Sequence, residues 1–375
     1  MKRSEYEGKA LDRIDERKIR KIYSTAPTSY PIFSALETQQ DDIVILKLFD
    51  FNYAFSSSTM NGSSDEAEDF VNYLCKKLTQ KMRARERLVK PFSMNFELAH
   101  VFSHTTKDHT IDTPCDVKIS YIHGYILTTA DDIHVFDLYT KKFITTFSIP
   151  DCELLYMSIE ENFDGNNNDA LFFDCYGHNC VFKYDLKRLI GKAIKKESHS
   201  CDFIWKSETI KQPRGMALWK DCLHFEENLL FVCDEQDNGS ILILKSSTGQ
   251  TIQTITSLDS PYGLTFDDIG KELFVSMLTS IEVFRKDNKN QSWVFDRLLH
   301  PETDEVYSQG LIYDKVSRTL ISCDDETNRI QIFQPKNGSI IKEFNGDIFF
   351  PDSLCLNEMT GELYVCQDDG VKIFR

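Results

Sequence analysis

The chain has no run of eighteen apolar residues, and its start, MKRSEYEGKALDRIDERK, has no apolar core. Neither a membrane-spanning helix nor a secretory leader is therefore expected, which points to the cytosol (cytoplasmic), with the nucleus as the other compartment. None of the eleven cysteines forms a C-x-x-C pair. In a reducing compartment they read as small apolar residues, and disulfides are not expected. No H-E-x-x-H, Ser-His-Asp signature or glycine-rich phosphate loop occurs, and the nine histidines are dispersed. Nothing therefore singles out a catalytic residue, a metal site or a cofactor site. Basic residues thin out after residue 95. Residues 1–95 hold 16 Lys and Arg against 14 Asp and Glu, whereas the other 280 hold 27 against 45, a balance of −18. A body this acidic repels phosphate backbones, so nucleic acid is not an expected ligand, while basic partners suit it.

What the sequence does have is a repeat. A β-branched residue, any residue, an aliphatic residue, then an aromatic residue or Leu recurs in six copies, with Lys183 in the aliphatic place of the second: IHVF (133–136), VFKY (181–184), ILIL (241–244), IEVF (281–284), IQIF (330–333) and VKIF (371–374). Before each copy stands an apolar run, for example LLFVCD (229–234) and ELYVC (362–366), of the kind found in strands buried on both faces. Further upstream a turn signal leads into an apolar step: PCDV (114–117), PRGM (213–216), PYGL (261–264), SQGL (308–311) and PDSL (351–354). The second unit is degenerate here, near LYMSI (155–159). Segments such as TIQTITS (251–257) and SIIKEF (339–344) supply a fourth strand. Six units of four short strands predict an all-β, six-bladed β-propeller.

The fifth unit, SQGLIYDKVSRTLISCDDETNRIQIF, resembles an NHL repeat, whose pattern runs Pro-x-Gly-apolar, a glycine-containing turn, then V-x-D-x-x-N-x-[RI]-I-x-apolar-F. Asp324, Arg329, Ile330 and Phe333 fall on matching positions, and Asn328 stands one residue after the pattern's Asn. The third unit keeps Pro213, Gly215, Asp234 and Ile241, and the last keeps Pro351, Gly361 and Phe374. The resemblance covers 113–375 and is looser in units one, two and four. WD-repeat propellers are disfavoured, because Trp205, Trp219 and Trp293 all lie away from the patterned strands and no Trp-Asp dipeptide ends one. The resemblance implies a scaffold that presents loops to a protein or peptide. NHL-like propellers often accompany RING-type ubiquitin ligases, but with Cys75 alone before Cys115 this chain offers no RING or B-box.

Only three strands follow Pro351, so the sixth blade lacks its outer strand. The apolar, β-prone stretch 96–104 (FELAHVFSH) is expected to pair with the C-terminal strand and close the ring. Residues 1–95 read as an N-terminal extension with one or two helices. A charged helix is expected over 2–23, a proline-containing linker over 24–40, a strand or hairpin over 42–55 and an amphipathic helix over 65–89. That last helix opens with the capping pair Ser63 and Glu66, carries Phe70, Leu74, Leu78 and Met82 on one stripe, and ends in a basic half. It is read as packing on the propeller's flank or as binding a partner or an anionic surface.

Acid recurs in the turn after the second strand of five units: Asp131-Asp132, Asp174, Asp234-Glu235 with Asp237, Asp324-Asp325-Glu326 and Asp368-Asp369. Equivalent propeller loops emerge on one face, so these carboxylates would ring one mouth. The first acid of each group suits turn chemistry, since Asp accepts backbone N–H bonds. Asp132, Glu235, Asp237, Asp325, Glu326 and Asp369 are then the candidate partner-binding residues. Cys233, Cys323 and Cys366 share one register and read as small apolar residues, because equivalent positions on separate blades do not converge on one ion. Six-bladed metal-dependent hydrolases and lyases exist, so an enzyme using the acidic mouth is the alternative to a binding scaffold without catalysis.

Overall fold

The computed structural model describes residues 89–106, 109–149, 152–198, 202–208, 210–220, 227–236, 238–267, 269–277, 279–287, 292–299 and 308–375. The helices, linker and strand expected over 2–88 lie outside the described residues, as does Asp237; Val89, the expected end of the last helix, is described and is not helical. A compact unit spans Leu88–Arg375.

That unit is a six-bladed propeller of four-stranded antiparallel sheets. The chain enters through β1 (Leu98–Phe102) and a small hairpin, β2 (His104–Thr106) with β3 (His109–Thr110). Blade 1 is β4–β7 (Asp116–Ser120, Tyr125–Thr129, Ile133–Asp137, Phe143–Phe147). Blade 2 is β8–β11 (Met157–Glu160, Ala170–Cys175, Cys180–Asp185, Trp205–Lys206), interrupted by a helix, α1 (Leu186–Lys195). Blade 3 is β12–β15 (Pro213–Trp219, Leu229–Asp234, Gly239–Lys245, Thr251–Leu258). Blade 4 is β16–β19 (Leu264–Phe266, Glu272–Ser276, Ile281–Lys286, Trp293–Leu299), and blade 5 is β20–β23 (Ser308–Asp314, Thr319–Asp324, Arg329–Phe333, Ile340–Phe344). Blade 6 contains β24–β26 (Ser353–Asn357, Glu362–Gln367, Gly370–Phe374), with β1 as its outermost strand. The innermost strands β4, β8, β12, β16, β20 and β24 neighbour one another in a closed ring.

The closing strand is where the sequence places it. β1 runs antiparallel to β26, with Leu98 opposite Phe374 and Phe102 opposite Val371, and Glu97 and Arg375 exchange both backbone hydrogen bonds at 3.0 and 2.8 Å. The chain is already anchored upstream of this strand. The Lys90 amide donates to Glu358 O, the Phe92 amide donates to Asp314 Oδ2, and the Phe96 ring stacks on Phe344 at 4.3 Å between centroids.

The core is divided between the blades. Six apolar clusters each join two adjacent blades, as where Leu127, Ile133 and Val135 of blade 1 meet Leu171, Phe173 and Tyr184 of blade 2. The second strands are covered on both faces, so β9, β21 and β25 are buried throughout. This is why their sequences run apolar without alternation.

Two features depart from the sequence reading. The first is α1, which the repeat pattern conceals. Asp185 caps it by accepting from the Arg188 amide, and Leu186, Leu189, Ile190 and Ala193 form its buried face. Its insertion leaves blade 2 with an outer strand of only two residues. The second is a disulfide between Cys152 and Cys175, whose Cα atoms are 5.2 Å apart. This corrects the expectation of a disulfide-free chain. The segment entering blade 2 folds back over the end of β9, where the Tyr176 amide donates to Glu153 O, and brings the two cysteines together. Cys233, Cys323 and Cys366 are free and buried.

Candidate functional site

The first strand of each blade starts beside the end of the second, as the pairing of Pro213 with Asp234 and of Ser308 with Asp324 shows. The turn-initiating motifs and the acidic turns therefore share one face of the ring, which we call the mouth. Strand register aligns the motif in all six blades. Its third position is Asp116, Met157, Gly215, Gly263, Gly310 and Ser353 in blades 1 to 6.

Packing explains the glycines. A Cβ on Gly215 would lie 2.2 Å from Tyr262 O, and one on Gly263 would lie 2.3 Å from Gln309 O, so each motif passes directly over its predecessor. Where glycine is replaced, side-chain bonds join the blades instead. Ser353 Oγ donates to Asp116 Oδ1, and the Met157 amide donates to Asp116 Oδ2 at 2.8 Å. Asp116 also accepts from the Val117 amide and pairs with Lys118, so one buried carboxylate ties blades 6, 1 and 2 together.

The second motif position carries a different chemistry in almost every blade: Cys115, Tyr156, Arg214, Tyr262, Gln309 and Asp352. Tyr156 is 9% exposed and the other five are partly covered. Their side chains meet along the rim. Tyr156 Oη donates to Asp352 Oδ1 at 2.9 Å, bridging blades 2 and 6. Arg214 pairs with Glu235 at 2.5 Å and lies 5.8 Å from the Tyr262 ring centroid, while Tyr262 Oη donates to the other Glu235 oxygen at 2.6 Å. Gln309 Nε2 donates to Asp325 Oδ2 at 2.6 Å.

Burial dominates the electrostatics here. It raises the Asp352 carboxyl to about 7, with the negative charge of Asp116 adding to the shift and the Tyr156 hydroxyl opposing it. Burial pushes the Cys115 thiol up to about 12, assisted by Asp352, Asp174 and Asp116. This keeps Cys115 a protonated thiol and not a nucleophilic thiolate. Asp174 is raised well above the usual carboxylate range by burial; its Oδ1 accepts from the Leu155 and Tyr156 amides, and its Oδ2 has no hydrogen-bond partner among the described residues.

Asp352 gives a pH prediction. Its unfolded carboxyl ionises near 3.8 and its folded one near 7, so between these values the folded state holds the extra proton. Stability from this group is therefore lost as pH rises from about 4 to about 7. Asp352→Asn retains an acceptor for Tyr156 and should flatten that part of the profile, with the variant gaining on the wild type at pH 8. Urea denaturation of both proteins at pH 4.5, 6 and 8 checks this, and parallel profiles would contradict it.

Of the six acids singled out in the sequence, the five that are described do not form one group. Glu235 and Asp325 join the rim through Arg214, Tyr262 and Gln309. Asp132 is half-buried on the blade 1 turn, where with Asp131 it opposes the lowering of the His134 pKa by burial. Glu326 and Asp369 are exposed, and Asp369 accepts from Gln367 Nε2. The leading acids divide likewise. Asp174 and Asp234 hold the entry of their blade's first strand, with Asp234 Oδ1 accepting from the Gln212 amide at 2.8 Å, whereas Asp324 accepts from Thr327 in its own turn and pairs with Arg329. The sequence reading missed the second motif position. Its signal was visible in blades 3 to 5, as a residue that changes beside a glycine that does not, at a register shared by all blades.

Among the described residues, no group of three or more His, Cys, Asp or Glu is arranged to hold a metal ion. No described helix is long and apolar enough to cross a membrane. No family model matches the sequence, and no curated protein matches it. Among solved structures, the chain is similar to the β-propeller domain of Cps50 (Swd1) from Myceliophteria thermophila, with a TM-score of 0.51 and 12% identity over 70% of this chain and 96% of that one. A computationally designed protein, Ika8, has a TM-score of 0.43 and 13% identity over 70% of each chain. The likeness to the first is one of fold.

Proposed function

We propose that this protein is an intracellular binding scaffold, an NHL-like propeller that presents its mouth to a protein or peptide partner of basic character. The observation that carries this reading is the rim. Packing holds the third motif position to glycine in blades 3 to 5, whereas the second holds Cys, Tyr, Arg, Tyr, Gln and Asp in turn around the six blades. Side chains that differ from blade to blade, bonded to one another at the edge of a common opening, form a surface with a specific pattern and not a repeated structural device. The acidic balance of the propeller supports a basic partner through electrostatic steering. Asp132, Glu235, Asp237, Asp325, Glu326 and Asp369 are the proposed contact residues.

Asp325→Asn, Glu326→Gln and Asp369→Asn combined should weaken binding of a fluorescein-labelled arginine-rich peptide by about tenfold, three partly solvated pairs contributing a few tenths to 1 kcal/mol each. The difference should shrink on raising salt from 50 to 300 mM. Fluorescence anisotropy reads both effects, and unchanged affinity would sink the basic-partner reading.

A further inference from the structure

On the mouth face, the loop between β23 and β24 reads Asp347-Ile348-Phe349-Phe350-Pro351. Ile348 is 1% exposed and Pro351 is buried, so the loop is anchored at both positions. Between the anchors, Phe349 and Phe350 are 50% and 54% exposed. Hydrophobic collapse alone would turn such rings inward.

The display is built into the backbone. Phe350 adopts a φ of +47°, in the left-handed region that bulky residues avoid, and it does so immediately before a proline, which favours extended conformations in its predecessor. Its amide donates to Asn328 Oδ1 at 2.6 Å, on the acidic turn of blade 5. Phe349 O accepts from the Asp368 amide at 3.2 Å, on the acidic turn of blade 6. The two rings thus rise between the turns that carry Asp325 and Glu326 on one side and Asp368 and Asp369 on the other.

The charges around the pair are mostly negative. Asp347 and Asp369 are 78% and 60% exposed at their side chains, and Glu326 and Asp368 are exposed. The cations here lie low. Lys372 is 5% exposed, lies 5.7 Å from the Phe349 ring centroid, and is within 3.3 Å of Asp347 and 3.9 Å of Asp369. Arg329 is held by Asp324 and Glu343. Aromatic side chains inside a carboxylate rim are complementary to a cationic head on an apolar stem, through ring-face attraction and charge together.

We infer that Phe349 and Phe350 form the anchor of a docking surface over blades 5 and 6 for a segment of another protein that bears lysine or arginine beside an apolar residue. This deepens the scaffold reading and rests on it, adding an aromatic centre to what the acids alone would attract.

The test pans a phage-displayed random dodecapeptide library against the immobilised full-length protein, then measures the enriched peptides against Phe349→Ala/Phe350→Gly. Glycine accepts a positive φ, so this variant removes both rings while keeping the loop's backbone, and its thermal midpoint should match or exceed that of the wild type. The expected result is enrichment of peptides pairing Lys or Arg with apolar residues, with affinity falling about tenfold or more in the double variant. Enriched peptides without basic bias, or basic peptides that bind the variant as well as the wild type, would overturn the docking surface and leave the scaffold reading standing. No enrichment at all would overturn both. A dimer that the double variant disperses in light scattering would assign the rings to a second copy of this chain and overturn the inference.

Discussion

A chain that starts after Phe102 is expected not to fold cooperatively, whereas one that starts at Leu88 should unfold within a few degrees of the full-length protein. The first truncation strips β1 from β26 and also removes Phe92, Phe96 and Phe102, which are 2%, 6% and 3% exposed. Truncating one buried Phe to Ala costs about 3–5 kcal/mol. Three such losses together match or exceed the roughly 5–15 kcal/mol by which a folded domain is stable. The loss is also topological, because an uncovered β26 presents a row of unpaired backbone groups to any neighbouring chain. Circular dichroism melts and size-exclusion profiles of the two truncations check this. A sharp melt from the shorter chain would show that the ring does not depend on its closing strand.

The second large effect is expected at Asp116. Its oxygens accept from the amides of Val117 and Met157 and from the Ser353 hydroxyl, and pair with Lys118. Replacement by alanine strands two inter-blade donors and leaves the Lys118 ammonium, 26% exposed at its side chain, with the Val117 carbonyl. Each orphaned donor costs about 1–3 kcal/mol, and the half-buried pair adds less than the roughly 3–5 kcal/mol lost when a fully buried one is broken. Asp116→Ala should therefore lower the urea midpoint more than any single substitution on the exposed turns, and Asp131→Ala, on an exposed turn, should change it little. Asp116→Asn should fall between, keeping one acceptor but turning an amide toward donors. Equal midpoints for the Asp116 and Asp131 variants would show that the three blades are held by apolar packing alone.

Much of the architecture was legible because the repeat makes each blade a partial copy of the next. The patterned motif marked the third strand of every blade, and the apolar runs marked the second. The missing outer strand of blade 6 identified β1, since a sheet edge that nothing covers is a physical problem the sequence has to solve. The helix α1 was concealed for the opposite reason: it is an insertion, and periodicity carries no information about what interrupts it. Its own signals, Asp185 at the cap and Leu186, Leu189, Ile190 and Ala193 at helical spacing, required a local reading.

The acidic face was legible as composition but not as geometry. Glu235 and Asp325 differ from Glu326 and Asp369 only in what the adjacent motif offers them, Arg214 and Tyr262 in one case and Gln309 in the other. Such pairings depend on how the first and second strands sit beside each other. The same limit applies to Cys152 and Cys175, which lie in different elements and meet through the fold of the segment between them.

The closure of blade 6 also bears on how the molecule forms. Blades 1 to 5 are each assembled from contiguous chain and can pair their strands as they are synthesised, but β1 must wait for β26, the last strand of the ring in chain order. Until then the covering strand has no sheet to join and the first and last faces of the stack have no neighbour. Pairing across so much intervening chain is slow and leaves strand edges exposed meanwhile. The joint that stabilises the finished ring is therefore the step at which a growing or refolding chain is most open to capture by a chaperone, or by another copy of itself.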